Sequence, residues 1–236
     1  MEDRIENKHK YVSNLFVIIC SLFVVCLLLS NLIASKIICI ANVSLPAAVI
    51  LFPITYIFSD IFTEVYGFRK SKMIIWIGFA CNTFAVLVYM ITIFLPYPDF
   101  WTDQEAFVAV LGTTPRVLIA SLFGYLFGEF ANSIILSKLK VKMAGKNLWF
   151  RTIFSTIIGE ALDTVIFILI SFGGLIAGNV IFQMVLFQYL WKVCYEIVLT
   201  PATYVTVKWL KKKENVDVYD FETVYRVLGP IRSKGI

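Results

Sequence analysis

Histidine and charge are scarce in this chain: 236 residues hold one histidine, His9, and 16% charged side chains. With no histidine beyond the N-terminal arm, histidine-based metal catalysis and histidine-dependent nucleophilic catalysis have no candidate in the apolar body. The five cysteines (Cys20, Cys26, Cys39, Cys81, Cys194) form no C-x-x-C and no metal-ligand spacing, and read as reduced packing residues. No P-loop occurs, so ATP hydrolysis has no site here. A G-x-G-D protease motif and a nucleophile–base pair are missing too. The expectation is a chain that is not an enzyme and needs no cofactor.

Hydrocarbon is plentiful. The hydrophobic share is 59%, against roughly 45–50% in soluble domains. Several apolar runs near twenty residues could cross about 30 Å of hydrocarbon as helix. The expected fold class is all-α, a polytopic membrane protein with six transmembrane helices. The spans are about Tyr11–Ser35, Val43–Val65 with Pro53 inside it, Met73–Leu95, Pro115–Ser137, Phe150–Phe172 and Val180–Trp209. The first run is too long for a signal-peptide core and lacks an evident cleavage site, so it stays as a span. A Pro-punctuated loop, LPYPDFWTDQE, precedes a short apolar piece, Ala106–Gly112, that cannot cross. Residues 1–10 form an arm, 11–210 the membrane domain and 211–236 a polar tail.

Of the 21 lysines and arginines, all but Lys36, Arg116 and Lys192 fall on one side of this arrangement. Short cytoplasmic loops carry such an excess, so both termini are expected in the cytoplasm. The net charge of +5 is then accounted for by topology and anionic lipid headgroups, and a nucleic-acid partner is not expected.

Seven charges lie within the spans: Asp60, Glu64, Glu129, Glu160, Asp163, Glu196 and Lys192. At roughly 2.5–3.5 kcal/mol each near the bilayer centre, they would cost on the order of 20 kcal/mol if unpaired and dry. Such residues mark a substrate or ion path by default. Asp60, Glu129 and Glu160 each stand nine residues from a cytoplasmic base, Arg69, Lys138 and Arg151, which puts them near mid-membrane. Asp163, Glu196 and Lys192 count out somewhat higher, so four helices offer polar groups at similar heights.

The fourth and fifth spans share the pattern G-E-x-x-[ND]-[ST], in Gly128–Ser133 and Gly159–Thr164. Its i, i+3 spacing puts Glu129 with Asn132, and Glu160 with Asp163, on one helical face, behind a glycine that admits a neighbouring backbone. Simpler readings stand beside these. Lys192 and Glu196, four apart, can neutralise each other, and Glu64 can reach headgroup water. Gly124-x-x-x-Gly128 and Gly174-x-x-x-Gly178 fit helix packing. Tyr97, Phe100 and Trp101 fit an interfacial belt. Arg116 can anchor its helix end or pair with an acid.

The blocks SNLIASKI (Ser30–Ile37), FPITYIFSDIFTEVYG (Phe52–Gly67), Arg116–Asn132 ending in GEFAN, STIIGEALDT (Ser155–Thr164) and QYLWKVCYEIVLTPATY (Gln188–Tyr204), taken in order, resemble the queuosine precursor transporter family, also called the vitamin uptake transporter family. The resemblance implies import of 7-cyano-7-deazaguanine and 7-aminomethyl-7-deazaguanine across a bacterial inner membrane. It also implies six helices distantly like the substrate-binding components of energy-coupling-factor transporters. The family's motif positions fall on Asp60, Arg116, Glu129, Glu160, Asp163, Lys192 and Glu196.

For such a ligand, adjacent ring and amino N–H groups suit one carboxylate, Glu160 or Asp163, through charge-assisted hydrogen bonds. Lys192, Gln188 or Asn132 would donate to the keto oxygen, and Tyr189, Trp191 or Tyr195 would stack on the ring. An acidic cavity also suits a protonated aminomethyl group. Two other functions use the same charges: an ion or proton translocator without organic ligand, and the substrate-binding subunit of a larger energised complex. An energising partner and a homodimer are both left open by the sequence.

Overall fold

The computed structural model describes residues 13–229 except 35, 41–42, 113–114, 176, 222 and 224. The expected N-terminal arm, with His9, and Arg232 and Lys234 lie outside them. Helix α1 (Asn14–Ile33) starts at Ser13, whose hydroxyl caps it by accepting the Phe16 N–H at 3.0 Å. An antiparallel hairpin follows, β1 (Ile37–Ile40) and β2 (Val43–Pro46), with Ile37 opposite Pro46. A 3₁₀ turn (Ala47–Ile50) leads into α2 (Phe52–Ile61), which a π-helical turn (Phe62–Tyr66) extends. Then come α3 (Gly67–Phe94), the short α4 (Gln104–Leu111), α5 (Pro115–Lys142), α6 (Leu148–Phe172) and α7 (Gly178–Glu214).

The second expected span differs most from the observed chain. Val43–Pro46 is strand, and Pro53 sits in the first turn of α2, where its missing N–H costs nothing. Pro53 therefore starts the helix rather than kinking it. The last helix runs through Pro201 and beyond Trp209 to Glu214. Apart from the hairpin, the regular structure of the described residues is helical, as expected.

Side-chain partners fix the direction of each helix. Phe16, early in α1, packs edge-on against Phe62 and Tyr66, while Asn31, late in α1, bonds to Asn82 of α3 and Ser121 of α5. So α2 descends beside α1, α3 rises again, and α5 descends. Helix α6 rises from Arg151 at the base to Ile170 beside Arg116, and α7 descends to Glu214, which meets Ser13 and Tyr66. The reversal between α2 and α3 turns on Gly67, at φ 79° and ψ 170°, a conformation that side-chain-bearing residues avoid.

Among the described residues, four stretches are long and apolar enough to cross a membrane: Asn14–Ile33, Ala47–Phe94, Ile119–Lys142 and Leu148–Phe172. The second joins α2 and α3, which Gly67 divides. Helix α7 is not among them, since Gln183, Gln188, Lys192 and Glu196 dilute it. Phe84, Phe94, Phe182, Val198 and Val205 point outward, the apolar surface that lipid requires. The protein is a helical membrane protein.

The apolar core sits toward the base, where Phe16, Phe23, Phe62, Val65, Phe68, Val207 and Leu210 are buried together. Beneath it the segment after Asn215 folds back across the helix ends. Val218 N–H donates to Val65 O at 3.1 Å, and Phe68 N–H to Asp220 at 2.8 Å. Lys72 reaches the carbonyls of Arg226 (2.7 Å) and Gly229 (2.6 Å), and the Trp76 indole that of Val227. A Cβ at Gly67 would lie 2.7 Å from Val218 Cγ1, so this glycine also makes room for the strap.

Candidate functional site

Glycine sets the spacing of the site. The most extensive helix pairing is α5 with α6. A Cβ at Gly128 would stand 3.0 Å from Gly159 O, and one at Gly159 2.9 Å from Gly128 O, so the two backbones touch there. This brings the two G-E-x-x-[ND]-[ST] patterns face to face, as their glycines suggested. Gly124 belongs to the same seam, next to Asp163. At Gly174 and Gly178 no atom would meet a Cβ within 4 Å, so that pair packs no helix within the chain.

At this seam α7 delivers Lys192. Its ammonium forms an ion pair with Asp163, another with Glu160 at 2.8 Å, and lies 4.5 Å from the centroid of Phe52 on α2. Glu196 takes no part: neither of its oxygens has a hydrogen-bond partner among the described residues. The i, i+4 pairing of Lys192 with Glu196 is therefore not formed, because two carboxylates of α6 outcompete one on the lysine's own helix. One turn before Lys192, Gln188 is half-buried on α7.

Across the seam, Asn132 donates to Asp60 Oδ1 at 2.7 Å. Among the described residues, Asp60 Oδ2, Asn132 Oδ1, the Tyr56 hydroxyl and both Glu129 oxygens have no hydrogen-bond partner, although Ser59 approaches Glu129. Asp60, Glu129, Glu160, Asp163 and Glu196 are at most 4% exposed. Among the described residues, Lys192 forms ion pairs with two of these five carboxylates, Glu160 and Asp163. A dry group of this kind is costly unless protons, water or a ligand complete it. No set of three or more His, Cys, Asp or Glu among the described residues is arranged to hold a metal ion.

One turn below Asp60, Glu64 does not reach outward to headgroup water. It is fully buried, held by the two terminal guanidinium nitrogens of Arg151 and by Lys211 at 2.6 Å, with Lys140 at 3.8 Å. Lys140 and Lys211 also meet Asp217 of the strap, at 2.5 and 3.0 Å. At the other end Arg116, exposed, donates to the carbonyls of Ile170 and Gly173. It thereby ties the upper ends of α5 and α6. Sequence reasoning did not single out Phe52, Tyr56 or Arg151 for the interior. Arg151 was read as a loop charge, and its burial depends on Glu64, 87 residues away.

A family model described as "Putative vitamin uptake transporter" matches residues 46–206. That range contains every member of the acidic group and stops short of the strap. A curated relative, the "Probable queuosine precursor transporter" of Bacillus subtilis (strain 168), is 25% identical over 159 residues, covering 66% of this chain and 69% of the relative. No solved structure matches the chain. The family is one of transporters rather than enzymes, and with the matched range spanning most of the helical bundle and its buried charges, the chain belongs to the vitamin uptake transporter family.

Proposed function

We propose that the protein imports queuosine precursors, 7-cyano-7-deazaguanine and 7-aminomethyl-7-deazaguanine, across a bacterial inner membrane. The observation that supports this most is the group of five buried carboxylates, two of them paired with Lys192, within a bundle whose outside is apolar. In this reading α1, α2, α3, α5, α6 and α7 are six crossings with both termini cytoplasmic, and the likeness to energy-coupling-factor substrate-binding components belongs to the same reading. The acids lie between the two ends, closed to both, as in an occluded state.

The ligand chemistry follows from the unpaired groups. A deazaguanine edge carries two adjacent donors that one carboxylate accepts together. Glu160 or Asp163 takes that edge in exchange for Lys192, whose ammonium then donates to the keto oxygen. Gln188 and Asn132 supply amide contacts. Asp60, Glu129 and Glu196 favour the protonated aminomethyl group of the second substrate.

Queuosine content of tRNA, in a bacterium that can neither synthesise nor import the precursors, tests the reading. Expression of this protein is expected to restore queuosine with either precursor at nanomolar concentration. Absence of rescue, with the protein shown to be in the membrane and co-expression of candidate ATPase partners also without effect, would overturn it. Binding measured on the purified protein is expected to weaken in Glu160→Gln or Asp163→Asn.

A further inference from the structure

Beneath the acidic group runs a line of buried hydroxyls that substrate recognition does not use. Ser133 of α5, fully buried, lies at its centre. Its Oγ is 2.8 Å from Ser71 of α3, 3.1 Å from Thr63, which donates to it, and 3.4 Å from Ser59 of α2. Ser59 is the hydroxyl that approaches the unpaired Glu129. One turn below Ser133, about 5–6 Å away and within reach of a single bridging water, stands Ser137. Ser137 donates to Asp220 of the strap at 2.5 Å and touches the Tyr225 hydroxyl at 2.9 Å. On α5 the residues Glu129, Ser133 and Ser137 follow at i, i+4 and i+8, one stripe of one helix face. Packing three helices together needs no such stripe, and apolar side chains would fill the space at lower cost.

We infer that this line is the inner half of a proton path, so that the protein couples import to protons passing from Glu129 through Ser59, Ser133 and Ser137 to Asp220 at the cytoplasmic base. The inference rests on the transport reading above. In each passage the Glu129 carboxyl gives its proton to the Ser59 oxygen as Ser59 gives its own to Ser133. Ser133 passes its own proton to the bridging water, the water one of its protons to Ser137, and Ser137 its proton to Asp220, which then releases it to cytoplasmic water. Every hydroxyl ends with one proton, as it began, and Glu129 is left a carboxylate.

The groups facing Glu129 suit it to the donor's role. Tyr56 and Asp60 face it from α2, Tyr125 from its own helix, and Glu160 and Asp163 from α6. Glu196 faces it from α7, where Lys192 is already committed to Glu160 and Asp163. Among the described residues no lysine or arginine forms an ion pair with Glu129, and Ser59 is the group beside it that leads on towards the base.

The test uses the full-length protein in proteoliposomes with a trapped pH-sensitive dye and radiolabelled 7-cyano-7-deazaguanine. Wild-type protein is expected to acidify the lumen as label enters, and to accumulate label against its gradient when the outside is acid. Ser133→Ala is expected to lose the proton signal and the accumulation while retaining exchange of labelled for unlabelled substrate, and Ser133→Thr to retain all three. Label entry by wild-type protein without acidification would overturn the coupling while leaving the transport reading intact. Proton entry undiminished in Ser133→Ala would overturn the path. If wild-type protein moves no label even in exchange, the transport reading and the inference that rests on it both fall.

Discussion

Lys192 carries the only positive charge inside the acidic group among the described residues, and it neutralises Glu160 and Asp163 together. Removing one partner of a buried ion pair typically costs about 3–5 kcal/mol, because the stranded charges stay dry. Lys192→Met is therefore expected to lower the thermal midpoint in detergent at neutral pH, with Lys192→Met/Glu160→Gln/Asp163→Asn recovering much of the loss. A single variant melting with the wild type would rule out this pairing as a stabilising element. The same residues show what the sequence could reveal. Glu160 and Asp163 are legible as one face because their spacing is local. The partner of Lys192 was not legible, since Glu196 on its own helix was as good a candidate until the packing of α7 on α6 brought Asp163 within reach. Glu64 misled for the same reason: its depth suggested water, but its partners Arg151 and Lys211 come from two distant helices.

Helices α2 and α3 form one apolar stretch of 48 residues, and what divides them is a single glycine. At φ 79° and ψ 170° Gly67 holds a conformation nearly closed to other residues, at a cost on the order of 1–3 kcal/mol. Its missing Cβ also admits Val218. Gly67→Ala is thus expected to destabilise the bundle by about that amount and to dislodge the strap, read as a lower melting temperature together with faster cleavage after residue 215 in limited proteolysis. A melting change without faster cleavage would assign the whole effect to backbone strain. The apolar runs made most of the helices legible in sequence. The hairpin and the start of α2 were not, because Val43–Pro46 is as apolar as a helix end and Pro53 reads equally as a kink or a start until its position in the turn is known. Helix α7 was legible as a helix despite its polar residues, and of these Lys192 and Glu196 are buried.

Across the molecule, five buried acids lie in the middle, the buried bases Lys140 and Arg151 meet Glu64 at the base, and a strap bound over them lies outside the range that the family model matches. The side on which the bases gather was plain from sequence. The strap was not, because a polar tail carries no periodicity and its docking depends on Lys72, Lys140 and Gly67, which are scattered along the chain. Its tie to the bundle is electrostatic in part. Partial burial pushes the Asp217 carboxyl up, but hydrogen bonds and charge from Lys140 and Lys211 outweigh this and hold it below its ordinary 3.8. A carboxyl depressed on docking stabilises the docked strap fully above that ordinary value, and the contribution is lost as pH falls through the depressed one. Amide protection of Val218, whose N–H donates to Val65, is therefore expected to stay level from neutral pH down to about 4 and to fall only below it, in hydrogen exchange corrected for intrinsic rates. Asp217→Asn is expected to show weaker protection at neutral pH and a smaller fall in acid. Since Asp217 is largely exposed, water and salt screen the pair, so raised ionic strength is expected to reproduce part of the Asp217→Asn effect in the wild type. Protection insensitive to both salt and Asp217→Asn would mean that Asp220, Lys72 and the Val218–Val65 bond hold the strap without the ion pair.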